Sequence, residues 1–414
     1  MNSIAFIGAG VASISAIDAL RDGGYDGPIS LLSDEQQLPY DRPPLSKDVL
    51  QGSAPDGVAL RPEAFYRDNE VDLLLGQRVT GLDCTEMAFT TTDGTQHRAR
   101  SIVLATGGSA RRLPLPGADL DGVFVLRTLD DAIALRRRFT AGARLAVIGG
   151  GFIGTEVAAS AVSSGLDVVL LEAAAMPLAA VLPELAPRVV DHHRQRGVTI
   201  RTEVAVEAFT GQDQVTGVRL ADGEVVPADL VVVGIGMRPN DGLAAAAGLA
   251  TGNGVHVDES MRTAAPGVYA IGDVANIGTT AGRQRCEHWS HAVDTGRRLA
   301  DDLLGRSGRL RPVPWFWSDQ YDLNIQLVGR PQPADERVWR EDPIRDRVTV
   351  LFHRQGRLTG AVTLNNGRDI RPITDLIAAG AALDVRDLDE PRTDLRKLAK
   401  QMRSGESAAT ASIS

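Results

Sequence analysis

A glycine-spaced unit that occurs twice constrains this chain more than any other feature. In one copy, a short apolar run, Leu145–Ile148, leads directly into Gly149-x-Gly151-x-x-Gly154. A helix-length segment follows, with Ala158, Ala159 and Ala161 on one face, and a second apolar run, Asp167–Leu171, ends on Glu172. Each part answers a mechanical need. The first glycine permits a tight strand-to-helix turn, the second lets the backbone approach a pyrophosphate, and the third lets the helix pack closely on the strand. The helix start at Phe152-Ile153 offers free N–H groups to an anion. An acid ending the second strand accepts hydrogen bonds from an adenosine ribose, and all these parts fall in register over about 30 residues. Gly149, Gly151, Phe152, Ile153, Gly154 and Glu172 are therefore candidate dinucleotide contacts. No base follows Glu172 in Ala173-Ala174-Ala175-Met176. The carboxylate would repel a 2′-phosphate and bind a free 2′-hydroxyl, so NADH is the expected nicotinamide.

The other copy opens the chain. Strand-like Ser3–Ile7 runs into Gly8-x-Gly10-x-x-Ser13, a helix through about Leu20 and a second strand, Ile29–Leu32. The copy is imperfect: Ser13 replaces the third glycine, and Ser33 stands where the acid is expected, with Asp34 one step later. Two dinucleotide sites in one chain suggest two cofactors that face each other. A nicotinamide delivers a hydride and a flavin accepts it, so one unit should hold FAD and the other NADH. Flavin disulfide reductases and peroxidases discharge through cysteine near the flavin, but the loop after the first unit, Pro39–Leu50, has none. Cys84 and Cys286 lie elsewhere and read as small buried hydrophobes. The electrons therefore leave directly from the flavin to an external acceptor.

Bulk properties exclude several classes. A chain of 414 residues holds two or three domains, and 43% hydrophobic with 23% charged residues is ordinary for a soluble globular protein. A net charge of −9 argues against general nucleic-acid binding. No apolar run reaches bilayer length, the first strand starts at Ile4 without a basic leader, and two cysteines suit a reducing cytoplasm. No zinc spacing is present, so no metal site is expected.

The remaining chain supplies placements. Prolines stiffen Pro39–Leu50, where Lys47 is either a surface lysine in the first turn of a short helix or a cation held over a cofactor. Thr106-Gly107 ends strand Ser101–Ala105, while Arg111–Gly117 and Gly234–Asn240 read as crossings between domains. Asp273 follows a short apolar strand and is either a helix cap or a cofactor contact. Helices are expected over Arg127–Arg138, Pro183–Gly197 and Gly282–Leu303, the last interrupted at Cys286–Ser290. Aromatic-dense Pro312–Asp322 opens a region of strands at Ile325–Val328, Arg347–His353 and Leu358–Leu364, with a helix near Ile370–Ala379. The expected division is an FAD-binding domain in two parts, 1–108 and 231–313, an NADH-binding domain 109–230, a C-terminal domain 314–403 and a flexible tail 404–414.

These motifs resemble the FAD-dependent NADH:ferredoxin reductases that serve bacterial cytochrome P450s and aromatic-ring dioxygenases, of the putidaredoxin and rhodocoxin reductase type. The resemblance runs from about Asn2 to Arg403. Its markers are Arg42–Lys47, Ala105–Gly107, Arg127–Ala132, Gly149–Glu156, Gly272-Asp273, Glu287–Trp289 and Pro314–Gln320. It implies an α/β fold with two Rossmann-like dinucleotide-binding domains, glutathione-reductase-like, and a C-terminal α+β domain. Gly8, Gly10, Arg42, Lys47, Val79, Arg127 and Asp273 are then expected at FAD, with Ser13, Asp34, Thr106, Gly107, Glu287, His288 and Trp289 in the same set. Gly236 and Glu156 join the NADH set. Lys47 and Glu156 are expected to pair where hydride arrives, the lysine stabilising reduced flavin and the glutamate orienting lysine and nicotinamide. Trp317 is expected between flavin and partner, as an electron path or as packing. The implied partner is a small acidic [2Fe–2S] ferredoxin, which Arg306, Arg309 and Arg311 could steer. Rival readings are an NADH oxidase, a rubredoxin or quinone-type reductase, and a redox-linked interaction protein resembling apoptosis-inducing factor.

Overall fold

Ile4–Ile7 and Arg144–Ile148 each pair on both sides within a parallel sheet, which is where apolar runs buried on two faces belong. The computed structural model describes residues 3–280, 282–306, 312–380, 382–389 and 393–403. The expected tail 404–414, and Arg309 and Arg311, lie outside the described residues. The chain forms two units: Met1–Arg112 with Val125–Arg136 and Gly236–Arg311, and Leu113–Phe124 with Arg137–Ile235 and Pro312–Ser414.

In the first unit the sheet order is Val268–Ala270, Ser101–Leu104, Ile4–Ile7, Ile29–Leu32, Val71–Leu74, every pairing parallel. Helix Val11–Asp22 buries Ile14, Ile17 and Leu20 in the same core as these strands. An antiparallel sheet of Val79–Asp83, Ala88–Thr91 and Gln96–Arg98 adds Phe89 to that core. Crossing strands Gly108–Ala110 and Met237–Pro239 pair antiparallel, so both Pro/Gly segments run side by side.

In the second unit the parallel core runs Thr199–Arg201, Asp167–Leu171, Arg144–Ile148, Leu230–Val233, with helix Phe152–Ser163 after the glycine turn. A five-stranded antiparallel sheet belongs to the same unit, in the order Trp315–Gln320, Leu323–Gly329, Arg357–Leu364, Arg347–Arg354, Glu336–Asp342. It is covered on both faces. Val348, Val350 and Phe352 join Leu178, Leu182, Leu185 and Val189 in one core, while Leu351 packs with Ile373, Leu376 and Leu395 in another. Burying Val350 or Leu351 this way contributes on the order of 2 kcal/mol each. That explains why Val348–His353 is buried without alternation.

Three local expectations change. Gly282–Gln284 is a strand paired with Ala275–Thr279, so the following helix begins only at Trp289. Trp315–Gln320 and Glu336–Asp342 are strands that periodicity did not single out. The first is masked by its aromatics, and the second is a charged edge strand of the kind that resists further pairing. The helix expected over Pro183–Gly197 is confined to Ala186–Gln195.

Candidate functional site

In the first unit the chain turns at Gly8, whose φ of +112° suits glycine, and an added Cβ would stand 2.2 Å from the Ala105 carbonyl oxygen. Gly10 caps helix Val11–Asp22 without any side-chain hydrogen bond, and the space a Cβ would take there is open. Uncapped N–H groups beside open space fit a pyrophosphate. Ser13 is buried, and its hydroxyl donates to the Gly8 carbonyl at 2.6 Å. The departure from glycine thus bonds the helix to its turn.

Around this turn the structure gathers charge. The Arg42 guanidinium donates to Glu35 Oε1 at 2.7 Å and to the Arg127 carbonyl at 2.7 Å. Arg127 Nη2 donates to Asp273 Oδ2 at 2.9 Å, and its Nε to the Gly108 carbonyl at 2.9 Å. Tyr40 hydroxyl donates to Glu35 and accepts the Leu129 N–H at 2.8 Å. Burial lowers the Arg127 guanidinium below its ordinary range, and the nearby positive charge of Arg42 adds to this. Burial acts the same way on Arg42, but Tyr40 and Glu35 outweigh it and hold that group above its ordinary range. Two partly buried guanidiniums near an uncapped helix start fit a dianionic pyrophosphate.

Asp34 is exposed, and the carboxylate held by Arg42 is that of Glu35. Glu35, the neighbour of Asp34 after the strand, is reached by Tyr40 and Arg42, a tertiary contact that spacing along the strand does not record. Lys47 Nζ donates to the Pro43 carbonyl at 3.2 Å, at the end of the stiff turn Pro43–Ser46. Trp289 Nε1 donates to Asp41 Oδ1 at 2.8 Å, and burial raises that carboxyl above the ordinary aspartate range. Thr106 and Asn240 exchange two hydrogen bonds at 2.8 and 2.9 Å, fixing Thr106-Gly107 beside the second crossing. Arg285 pairs with Glu287 at 2.7 Å and donates to the Asp273 carbonyl, while His288 occupies the N-cap of the helix from Trp289. Val79 opens the antiparallel sheet and packs against the unit's core. Gly236 accepts the Arg111 N–H at 2.9 Å and belongs to this unit.

The second unit repeats the turn in stricter form. Gly149 leads into Gly151, which caps helix Phe152–Ser163 with no side-chain hydrogen bond and open space before it. A Cβ on Gly154 would lie 2.0 Å from the Gly149 carbonyl oxygen, so only glycine allows this helix to approach its turn. Glu172 Oε2 accepts the Gly150 N–H at 2.6 Å and Oε1 the Ala174 N–H at 2.7 Å. The carboxylate is thereby held at the glycine turn, with lone pairs remaining for a ribose. Ile153 is exposed, and Phe152 lies against Phe316 with ring centroids 4.6 Å apart. Glu156 is buried on the same helix and accepts a hydrogen bond from Ser318 Oγ at 2.6 Å. Trp317 stacks on Trp315 at 4.8 Å and 16°, and Trp315 Nε1 is tied to Gln326 Oε1 at 2.9 Å. Ser318 and Gln320 were read only as part of the marker Pro314–Gln320, because their link to Glu156 runs through the C-terminal sheet. Among the described residues no cluster of His, Cys, Asp and Glu could hold a metal ion.

Comparison with known proteins agrees with two nucleotide units followed by a distinct C-terminal region. Residues 2–296 match the family described as Pyridine nucleotide-disulphide oxidoreductase, and residues 315–399 match Reductase C-terminal. The chain is 40% identical over 399 residues to the 5,5′-dehydrodivanillate O-demethylase ferredoxin reductase subunit of Sphingobium sp., covering 95% of this chain and 97% of that one. It is 38% identical to rhodocoxin reductase of Rhodococcus erythropolis, covering 95% and 93%. Among solved structures, the ferredoxin reductase for the CYP199A2 system from Rhodopseudomonas palustris aligns with a TM-score of 0.92 at 35% identity, covering 96% of this chain and 100% of that one. The reductase in the covalent putidaredoxin reductase–putidaredoxin complex aligns with a TM-score of 0.91 at 33% identity, covering 98% and 99%.

Proposed function

The chain belongs to the pyridine nucleotide-disulphide oxidoreductase family, and from that premise we propose that it takes a hydride from NADH onto FAD and passes single electrons to a [2Fe–2S] ferredoxin that feeds an oxygenase. One observation carries the reading: two glycine-turn units, each with an uncapped helix start, occur in a chain with no cysteine in Pro39–Leu50. The division into FAD-binding segments 1–108 and 231–313, an NADH-binding domain 109–230 from which Val125–Arg136 returns to the first unit, and a C-terminal domain from 314 is part of the same proposal. So is a cytoplasmic location. Among the described residues no helix is long and apolar enough to cross a membrane.

Bound FAD supplies the chemistry of accepting two electrons together and releasing them one at a time. The chain's own residues do the rest. Gly8, Gly10 and the first N–H groups of Val11–Asp22 would hold the FAD pyrophosphate, with Arg42 and Arg127 offsetting its charge. Glu35 and Asp273 keep those guanidiniums in place. Gly149, Gly151 and the start of Phe152–Ser163 would hold the NADH pyrophosphate, and Glu172 would accept from the ribose. Lys47 would stabilise negative charge on reduced flavin, and Glu156 would orient the nicotinamide. Trp317 and the C-terminal sheet are proposed to meet the ferredoxin.

The deciding experiment is NADH-driven cytochrome c reduction with a panel of [2Fe–2S] ferredoxins. Turnover should depend on an added ferredoxin. Rapid oxygen consumption without any ferredoxin would instead support an NADH oxidase.

Two substitutions test individual residues. Glu172→Ala should raise the KM for NADH roughly tenfold, the scale of one lost charge-assisted hydrogen bond, and weaken discrimination against NADPH. Unchanged selectivity in steady-state kinetics would remove Glu172 from that role. Lys47→Ala should slow flavin reduction on the order of 100-fold, as expected when a preorganised charge is removed, while the circular dichroism spectrum stays native. A normal reduction rate in stopped flow would clear Lys47 of that role.

A further inference from the structure

Five side chains of the second unit, none more than 3% exposed, form a continuous buried polar chain: Glu156, Ser318, Gln320, Thr155 and His193. Ser318 Oγ lies 2.6 Å from Glu156 Oε1. Gln320 Nε2 lies 3.0 Å from Ser318 Oγ and 2.9 Å from Thr155 Oγ1. Gln320 Oε1 lies 2.8 Å from His193 Nε2, and His193 Nδ1 lies 3.2 Å from the half-buried Tyr321 hydroxyl.

The direction of every bond is fixed by what each group can donate. The single Ser318 hydroxyl proton goes to Glu156 Oε1. The Thr155 hydroxyl donates to the backbone carbonyl of Gly151 or Phe152, at 3.1 and 3.0 Å. Both hydroxyl oxygens therefore need donors, and the Gln320 amide supplies its two N–H groups. Its carbonyl must then accept from His193 Nε2–H, which makes Nδ1 the acceptor for Tyr321. Burial holds His193 below the ordinary histidine range and keeps it in this neutral form. The protons of Tyr321, His193 and Ser318, with one N–H of Gln320, run in one direction towards Glu156, while Thr155 takes the other Gln320 N–H as a side branch.

We propose that Ser318, oriented by Gln320 and His193, is a positioning residue that fixes the Glu156 carboxylate for the hydride step. Helix Phe152–Ser163 carries the glutamate, but a donor on strand Trp315–Gln320 sets its rotamer. The C-terminal sheet thereby takes part in the chemistry of the NADH unit as well as in partner contact. The inference rests on the reading of Glu156 as the group that orients the nicotinamide.

A double-mutant cycle on the full-length FAD-loaded protein tests it. Ser318→Ala removes one oxygen and should lower the limiting rate of flavin reduction roughly tenfold, with the half-saturating NADH concentration within about twofold of the parent. Ser318→Thr, which keeps the hydroxyl, should recover most of that rate. In a Glu156→Ala background, Ser318→Ala should cause no further loss of rate. The urea midpoints of the same four proteins should be non-additive, a readout independent of turnover. A Ser318→Ala loss that persists undiminished beside Glu156→Ala, or additive urea midpoints, would reduce Ser318 to packing. A slow Glu156→Ala with a normal Ser318→Ala would overturn the inference while leaving Glu156 in its role. A Glu156→Ala protein at full rate would remove the reading of Glu156 itself, and the inference with it.

Discussion

A Gly154→Val protein should retain FAD yet reduce it with NADH on the order of 100-fold more slowly, equivalent to about 2.7 kcal/mol in the barrier. The cause is steric. A Cβ at position 154 would stand 2.0 Å from the Gly149 carbonyl oxygen and 3.4 Å from Val147 Cγ1. Both belong to the strand and turn that position the helix start. Forced apart, the helix would carry its uncapped N–H groups away from the pyrophosphate they are expected to hold. The first unit has its own core, so FAD should remain bound. Stopped-flow flavin absorbance with NADH, set against full reduction by dithionite, measures the effect. Parent-like reduction by NADH would show that the glycine turn of the second unit is not where the nicotinamide cofactor binds.

The matching change in the first unit should act on cofactor retention. Gly8→Ala should purify with little or no FAD and lose about 2–4 kcal/mol of stability, from left-handed strain and a backbone clash together. Gly8 has φ +112°, and its Cβ would sit 2.2 Å from the oxygen and 2.6 Å from the carbon of the Ala105 carbonyl. Ala105 directly follows Ser101–Leu104, which pairs with Ile4–Ile7 at the centre of the sheet. The strain therefore falls on backbone that no rotamer change can relieve. The visible absorbance ratio and a urea unfolding curve check both parts. A protein with stoichiometric FAD would refute the assignment of this turn to FAD.

The two glycine units were legible in the sequence because their constraints are local. A tight turn, a close backbone approach and an acid at a strand end all lie within one strand–helix–strand segment. Ser13 shows the limit of that kind of reading. As a letter it is a departure from glycine, but in space its hydroxyl bonds the Gly8 carbonyl and joins helix to turn. Glu35 shows the same limit. Asp34 was the nearer match by position, yet Arg42 and Tyr40 reach Glu35 from a turn several residues further on.

What the sequence determined by itself was the pair of nucleotide units and the order of their strands and helices. Those properties depend on residues close together in the chain, where spacing translates directly into geometry. The tertiary structure decided three things. Val125–Arg136 returns to the first unit and brings Arg127 to Asp273. The C-terminal sheet is covered on both faces, and Trp315–Gln320 and Glu336–Asp342 complete it as its two outer strands beside the three legible in the sequence. Ser318 is delivered to Glu156 across 162 positions of chain. A hydrogen bond of that range depends on where two separately folded elements pack, and no local pattern records it.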